Sequence, residues 1–229
     1  LERARALGAE YLATGHYARL ERDEGGTVHL LRGLDRGKDQ SYVLSVLSQE
    51  QLRQTLLPVG AYEKARIREI AHNYRFPVAD RPDSQDLCFL AGGDYRAFLQ
   101  RHLPEVARPG KIINRQGQVL GEHQGLAFYT IGQRKGIRIA APEPYYVIEK
   151  DMERNALIVG GLHELGQVSL LAQGVNWNSG AVPQDSFEAE VKIRYRAREA
   201  PAVVSPVGEA EARVEFQEPL RDITPGQRV

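Results

Sequence analysis

The one thiol in this chain is Cys88, within Arg81-Pro82-Asp83-Ser84-Gln85-Asp86-Leu87-Cys88-Phe89-Leu90. A thiolate is a nucleophile and a sulfur carrier, and both uses require an accessible sulfur of lowered pKa. Two readings stand. Leu87, Phe89 and Leu90 suit a buried core cysteine, the usual place for a free thiol. The polar, turn-forming stretch before them suits an exposed functional loop. Asp83 and Asp86 oppose thiolate formation, so any activation must come from groups brought in by the fold. A single cysteine makes no internal disulfide and no cysteine-type zinc site, and no metal ligand set is expected.

Ala13-Thr14-Gly15-His16-Tyr17 reads as a short strand running into a glycine. At the carboxyl end of a strand in an open α/β sheet, such a glycine lets a ligand approach the backbone. A simple turn has the same pattern. Gly33-Leu34-Asp35-Arg36-Gly37-Lys38-Asp39-Gln40-Ser41-Tyr42 gathers donors and acceptors ahead of an apolar stretch. It fits a solvated connector as well as a nucleic-acid contact, where Lys meets phosphate and Gln meets base edges. Two basic clusters follow, Gln133-Arg134-Lys135-Gly136-Ile137-Arg138 and Lys192-Ile193-Arg194-Tyr195-Arg196-Ala197-Arg198. If the second is a strand, Lys192, Arg194, Arg196 and Arg198 share one face, which must then meet water or a polyanion.

These residues need elements to position them. Leu1–Leu7 reads as a helix stopped by Gly8, Tyr11–Thr14 as a buried strand, and Val28–Leu31 as another. Ser48 and Gln51 make a capping box for a helix over 49–54. Glu63–Tyr74 carries Ile67, Ile70, Ala71 and Tyr74 at helical spacing, and Asp94–Leu103 is a second amphipathic helix. Beyond Pro109 the helical period gives way to short strands over 111–113, 118–120, 145–148, 156–159, 168–171, 188–195, 202–204 and 212–216. Gln116-Gly117, Arg154-Asn155 and Gly160-Gly161 supply turns, a pattern of small antiparallel sheets or barrels. Soft boundaries fall near 104–109 and 160–166.

With 229 residues, 42% hydrophobic and 26% charged, the composition is that of an ordinary globular protein. No run of about 18 apolar residues marks a membrane span, and Leu1-Glu2-Arg3-Ala4-Arg5 opens no signal peptide. Thirty basic and thirty acidic residues leave the net charge at zero. Local clusters, not the total, therefore bear on nucleic acid binding. Without disulfides, the cytoplasm is the expected compartment.

Taken in order, a series of strings resembles the bacterial tRNA-specific 2-thiouridylases (MnmA type). They are Ala13-Thr14-Gly15-His16-Tyr17-Ala18-Arg19, Leu31-Arg32-Gly33-Leu34-Asp35, Lys38-Asp39-Gln40-Ser41-Tyr42, Asp83-Ser84-Gln85-Asp86-Leu87-Cys88-Phe89, Pro109-Gly110-Lys111-Ile112, Gly121-Glu122-His123-Gln124-Gly125, Thr130-Ile131-Gly132-Gln133-Arg134-Lys135-Gly136, Arg194-Tyr195-Arg196 and Thr224-Pro225-Gly226-Gln227. They span nearly the whole chain.

The resemblance implies a sulfurtransferase that thiolates the wobble uridine of tRNA. ATP, with Mg2+, adenylates the uridine carbonyl oxygen, and a cysteine persulfide then delivers sulfur to the activated carbon. Cys88 matches the persulfide carrier, Gly15 an ATP-contacting backbone position, Lys38, Asp39 and Gln40 a tRNA-contacting loop, and Arg194 with Tyr195 a tRNA-contacting pair. On a regular strand those last two point to opposite faces, so the strand must bend or end there. The partners implied are the tRNA anticodon stem-loop and a cysteine desulfurase or sulfur-relay protein as persulfide donor; no membrane is implied.

The implied fold is α/β followed by β. Residues 1–105 are the C-terminal part of a PP-loop, Rossmann-like ATP-binding and catalytic domain, 106–163 a small central β-rich tRNA-binding domain, and 164–229 an incomplete C-terminal β-barrel. The family's Ser-Gly-Gly-x-Asp-Ser phosphate cradle and first catalytic cysteine find no match, and the last barrel strands are absent. The chain is therefore expected to be an excerpt of an enzyme, inactive alone.

Overall fold

The computed structural model describes residues 1–81, 95–195, 197–221 and 223–229. Two compact units emerge, one of Leu1–Asp83, Leu171–Phe187 and Val204–Arg213, the other of Ser84–Leu170, Glu188–Val203 and Val214–Val229.

In the first unit, helix α1 (Glu2–Ala6) stops where expected, with Gly8 in the left-handed region at φ 79°. Strand β1 (Leu12–Ala13) pairs in parallel with β4 (Thr55–Leu56). The expectation of a buried β1 is corrected: Tyr11 is 52% and Leu56 48% exposed. Parallel strands are buried only when helices cover both faces and further strands flank them, and among the described residues this sheet has two strands.

Strands β2 (Ala18–Arg22) and β3 (Val28–Arg32) form an antiparallel hairpin. Its turn is tied by Asp23, whose carboxylate accepts Thr27 N–H at 2.9 Å and meets the His29 imidazole at 2.8 Å. The His29 contact, and after it the Thr27 N–H, hold the Asp23 carboxyl below the usual carboxylate range. Helix α2 (Ser41–Leu44) and helix α3 (Gln49–Arg53) follow, and the Ser48–Gln51 capping box is present in both directions. Helix α4 (Lys64–Asn73) half-buries Ile67, Ile70 and Ala71 on one face, but Tyr74 beyond it is 72% exposed.

In the second unit, helix α5 (Tyr95–His102) lays Leu99 against an apolar cluster. That cluster is built on β5 (Gly110–Ile113), β6 (Val119–His123), β7 (Tyr146–Asp151) and β8 (Ala156–Gly160), in the order β6-β5-β8-β7. Strands β5 and β8 run parallel, a departure from the all-antiparallel expectation. As an inner strand, β8 buries Leu157 and Val159 completely; each such side chain contributes about 1.5–3 kcal/mol of burial. His123 is 1% exposed, receives Gly125 N–H on Nδ1 at 3.1 Å, and has Nε2 3.1 Å from Asn155 O. Those contacts satisfy both ring nitrogens of a neutral imidazole.

Four more strands, β9 (Gln167–Gln173), β10 (Phe187–Val191), β11 (Ala200–Gly208) and β12 (Glu211–Leu220), form a sheet ordered β10-β11-β12-β9. Among the described residues this sheet is open. Here the strand expected over 188–195 is corrected. It ends at Val191, and Ala197 N–H closes a turn onto Arg194 O at 3.0 Å. Lys192, Arg194 and Arg198 therefore do not line one face of a strand, and Arg196 lies outside the described residues. Val191 and Ile193 remain buried, so alternation does hold the apolar side across the strand end. Among the described residues, no helix is long and apolar enough to cross a membrane.

Candidate functional site

Gly15 follows β1 at its carboxyl end. Thr14 N–H still bonds Leu56 O at 3.0 Å, extending the parallel ladder by one residue. Thr14 Oγ1 then reaches His16 Nδ1 at 2.9 Å across Gly15. A Cβ built on Gly15 would meet nothing within 4 Å among the described residues. Those surroundings leave room for a ligand, and none of them demands glycine here. Beside it is a cavity of about 550 Å³, lined by Leu12, Thr14, His16, Leu44, Gln51 and Thr55 among others.

The loop carrying Lys38, Asp39 and Gln40 is a built structure. Asp39 Oδ1 accepts Gly33 N–H at 2.8 Å and Ser41 N–H at 3.3 Å, while Oδ2 accepts Ser41 Oγ at 2.8 Å. Gln40 Oε1 accepts Tyr17 N–H at 3.0 Å. Gly33 is required here: a Cβ would lie 2.7 Å from Tyr17 O. Asp35 Oδ2 takes Lys64 N–H at 3.1 Å, capping α4 from across the chain, and Asp35 O accepts Lys38 N–H at 3.0 Å. Asp39 and Gln40, which composition leaves undecided between connector and contact, are thus spent largely on shaping the loop. Lys38 is half-buried and Gln40 Nε2 makes no bond among the described residues.

Tyr17 itself is 7% exposed, with Lys64 Nζ 5.4 Å from its ring centre and its hydroxyl buried without a hydrogen-bond partner among the described residues.

Arg194 and Tyr195 lie in the turn after β10. The Arg194 guanidinium donates through Nη2 to the Thr224 hydroxyl, and its Nε is buried without a partner among the described residues. Tyr195 is 47% exposed and Lys192 Nζ lies 5.8 Å from its ring centre. Since the strand ends at Val191, the pair is free of the opposite-face constraint. Cys88 lies outside the described residues.

Sequence reasoning gave no role to Thr224, although it opens the motif that runs to Gln227. Asn176 and Asn178 were missed altogether. Their side-chain amides clamp the chain between α2 and α3, at Ser45 O (2.7 Å) and Leu47 O (3.0 Å from each). Contacts across some 130 residues leave no local signal.

Three family models match in sequence: a "tRNA methyl transferase HUP domain" over residues 1–92, a "tRNA methyl transferase PRC-barrel domain" over 96–161, and an "Aminomethyltransferase beta-barrel domain" over 167–229. A tRNA-specific 2-thiouridylase MnmA of Moorella thermoacetica is 49% identical over the whole chain and 64% of that relative. Its counterpart in Carboxydothermus hydrogenoformans is 45% identical over the whole chain and 63% of that relative. The chain belongs to the tRNA-specific 2-thiouridylase family.

A third member, from Nostoc punctiforme, is 47% identical over 96% of the chain and 63% of that relative. The chain spans a little under two thirds of the length of these thiouridylases. Within the family's three domains, Gly15 and the Lys38–Gln40 loop fall in the HUP match and Arg194 with Tyr195 in the β-barrel match.

Proposed function

We propose that this chain is part of a tRNA-uridine 2-sulfurtransferase acting at the wobble position. Unbroken similarity to relatives named as tRNA-specific 2-thiouridylases carries the reading. In it, residues 1–105 belong to the ATP-binding and catalytic domain, 106–163 to a central RNA-binding domain, and 164–229 to a β-barrel. The protein works in the cytoplasm on the anticodon stem-loop.

Gly15 fits a nucleotide contact, because the space over its Cα is open and it ends a strand of a parallel pair. Its backbone would hold ATP, which with Mg2+ supplies the adenylate that makes the uridine oxygen a leaving group. Cys88 would carry the persulfide, received from a cysteine desulfurase or a relay protein. The terminal sulfur attacks the activated carbon and AMP departs. A second thiol, the part the resemblance gives to the family's other catalytic cysteine, then attacks the Cys88 sulfur and forms a disulfide with it, leaving the outer sulfur on the base as the thiocarbonyl. Lys38 and Gln40 would grip RNA from the loop that Asp39 stiffens, and Arg194 with Tyr195 from the β10 turn. A base undergoing such chemistry must leave its stack, so the RNA has to be held from more than one side.

The family-model descriptions speak of methyl transfer, and one experiment separates the two chemistries. This chain replaces the matching stretch of the Moorella relative, and the chimera is expressed in cells that lack their own 2-thiouridylase. Nucleoside analysis should then find 2-thiouridine restored. Methylated uridine in its place would favour methyl transfer.

A further inference from the structure

The proposed mechanism names no RNA-contacting residue within the central domain, yet the segment Thr130–Arg138 there is held in place by a continuous set of bonds. Gln133 Oε1 accepts Thr130 N–H at 3.0 Å and Gln133 Nε2 donates to Lys135 O at 2.8 Å. Gly132 N–H reaches Val147 O at 2.8 Å, and Val147 N–H returns to Gln133 O at 2.9 Å, pinning the loop to β7. Ile137, 4% exposed, anchors it in the apolar cluster. Two glycines, 132 and 136, take φ 84°, and Arg138 itself sits at φ 61°. A non-glycine residue there costs about 1–2 kcal/mol, so the surroundings must impose it.

This rigid frame displays Arg134, Lys135 and Arg138, all exposed and none with an ion pair or side-chain hydrogen bond among the described residues. Elsewhere exposed arginines find carboxylates: Arg66–Glu69 at 2.8 Å, Arg115–Glu164 at 3.3 Å, Arg154–Asp151 at 3.7 Å. From Gln124 to Pro142 the sequence holds no Asp or Glu, in a chain with 30 of them.

We infer that this loop is a docking surface for the phosphodiester backbone of structured RNA, an inference that rests on the tRNA reading above. Arginine meets phosphate with paired N–H groups and lysine as a point charge. A loop already stitched in place loses little conformational freedom on binding. An acidic protein partner is disfavoured, because protein interfaces centre on exposed apolar or aromatic anchors, and the loop's Ile137 is turned inward. Phosphate contacts hold RNA in register without reading sequence.

The test uses the whole chain, with Arg134→Gln, Lys135→Gln and Arg138→Gln combined so that every Cβ is kept. Filter binding across a salt series, with tRNA and with an RNA duplex of unrelated sequence, gives affinity and salt slope. The slope of log affinity against log salt should fall by about 0.7–0.9 for each phosphate no longer neutralised, for both RNAs, with affinity at least about ten-fold weaker at low salt. The melting temperature should move by no more than about 2 °C. An unchanged slope and affinity in a folded variant overturns the inference and leaves the tRNA reading standing. A reduced slope on both RNAs, with no preference for tRNA in the unmutated chain, upholds the surface and sinks the tRNA reading. Should the variant fail to fold, acylation of Lys135 in the unmutated chain decides: saturating RNA should slow it several-fold, and unchanged reactivity overturns the inference.

Discussion

Gln40 grips the backbone of Tyr17 from both sides: its Oε1 accepts Tyr17 N–H at 3.0 Å, and its own N–H donates to Tyr17 O at 2.8 Å. This joins the loop of Lys38–Gln40 to the residue that follows Gly15 and His16, tying the carboxyl end of β1 to the loop. Gln40→Ala leaves the N–H of buried Tyr17 without its partner. An unmet donor there costs about 1–3 kcal/mol. Amide hydrogen exchange should speed up at Tyr17 and Gly33 in this variant, while Val147 and Leu157 in the other unit stay protected. Unaltered exchange at Tyr17 would mean the bond contributes nothing to holding the loop.

Gly15→Ala separates ligand contact from folding. The added methyl meets nothing within 4 Å among the described residues and the residue is outside the left-handed region, so the melting temperature should hold. In the Moorella chimera, ATP affinity should drop by about ten-fold or more, since the methyl enters the space proposed for nucleotide, and ten-fold is only about 1.4 kcal/mol. Equal ATP affinity in the two proteins would remove Gly15 from the site.

Thr224 should matter through Arg194. Thr224→Val removes the hydroxyl that receives the guanidinium, and Arg194 loses its fixed direction. tRNA affinity should fall several-fold, and Thr224→Ser should restore it. If valine and serine variants bind alike, the Arg194–Thr224 bond does not serve RNA.

The Asp23–His29 contact gives a pH signature. Asp23 is depressed by the His29 bond first and the Thr27 N–H second. A carboxyl lowered by folding adds stability above its unfolded value, about 3.9, and loses it as pH falls through the lower folded value. Proton titration followed by NMR should place Asp23 below the chain's exposed, unbonded carboxylates, and His29→Ala should raise it. An Asp23 titration unmoved by that substitution would refute the assigned cause.

Local physics was readable where it acts over a few residues. Ser48 and Gln51 are three apart and form their capping box. Gly8 stops α1, and the strands from 110 onward fall within a few residues of their expected places. Sequence patterns misled where tertiary partners decide. Alternation of Lys192, Arg194 and Arg196 mimics a strand, but the ladder ends at Val191 and a turn takes over. Hydropathy marked β1 as buried, whereas burial of a parallel strand depends on neighbours it does not encode. The candidate site was legible as motifs. That Asp39 and Gln40 build the loop was not, because their partners Gly33 and Tyr17 lie 6 and 23 residues away.

Whether Cys88 carries the sulfur given to tRNA is decided by comparing the chimera bearing Cys88 with its Cys88→Ser form. Nucleoside analysis reads 2-thiouridine and filter binding reads tRNA affinity. A hydroxyl cannot hold a persulfide, so 2-thiouridine should vanish while tRNA affinity stays within about two-fold, as expected for a change outside the phosphate contacts. Undiminished 2-thiouridine in the serine form would show that the sulfur travels by another route and that Cys88 is not its carrier.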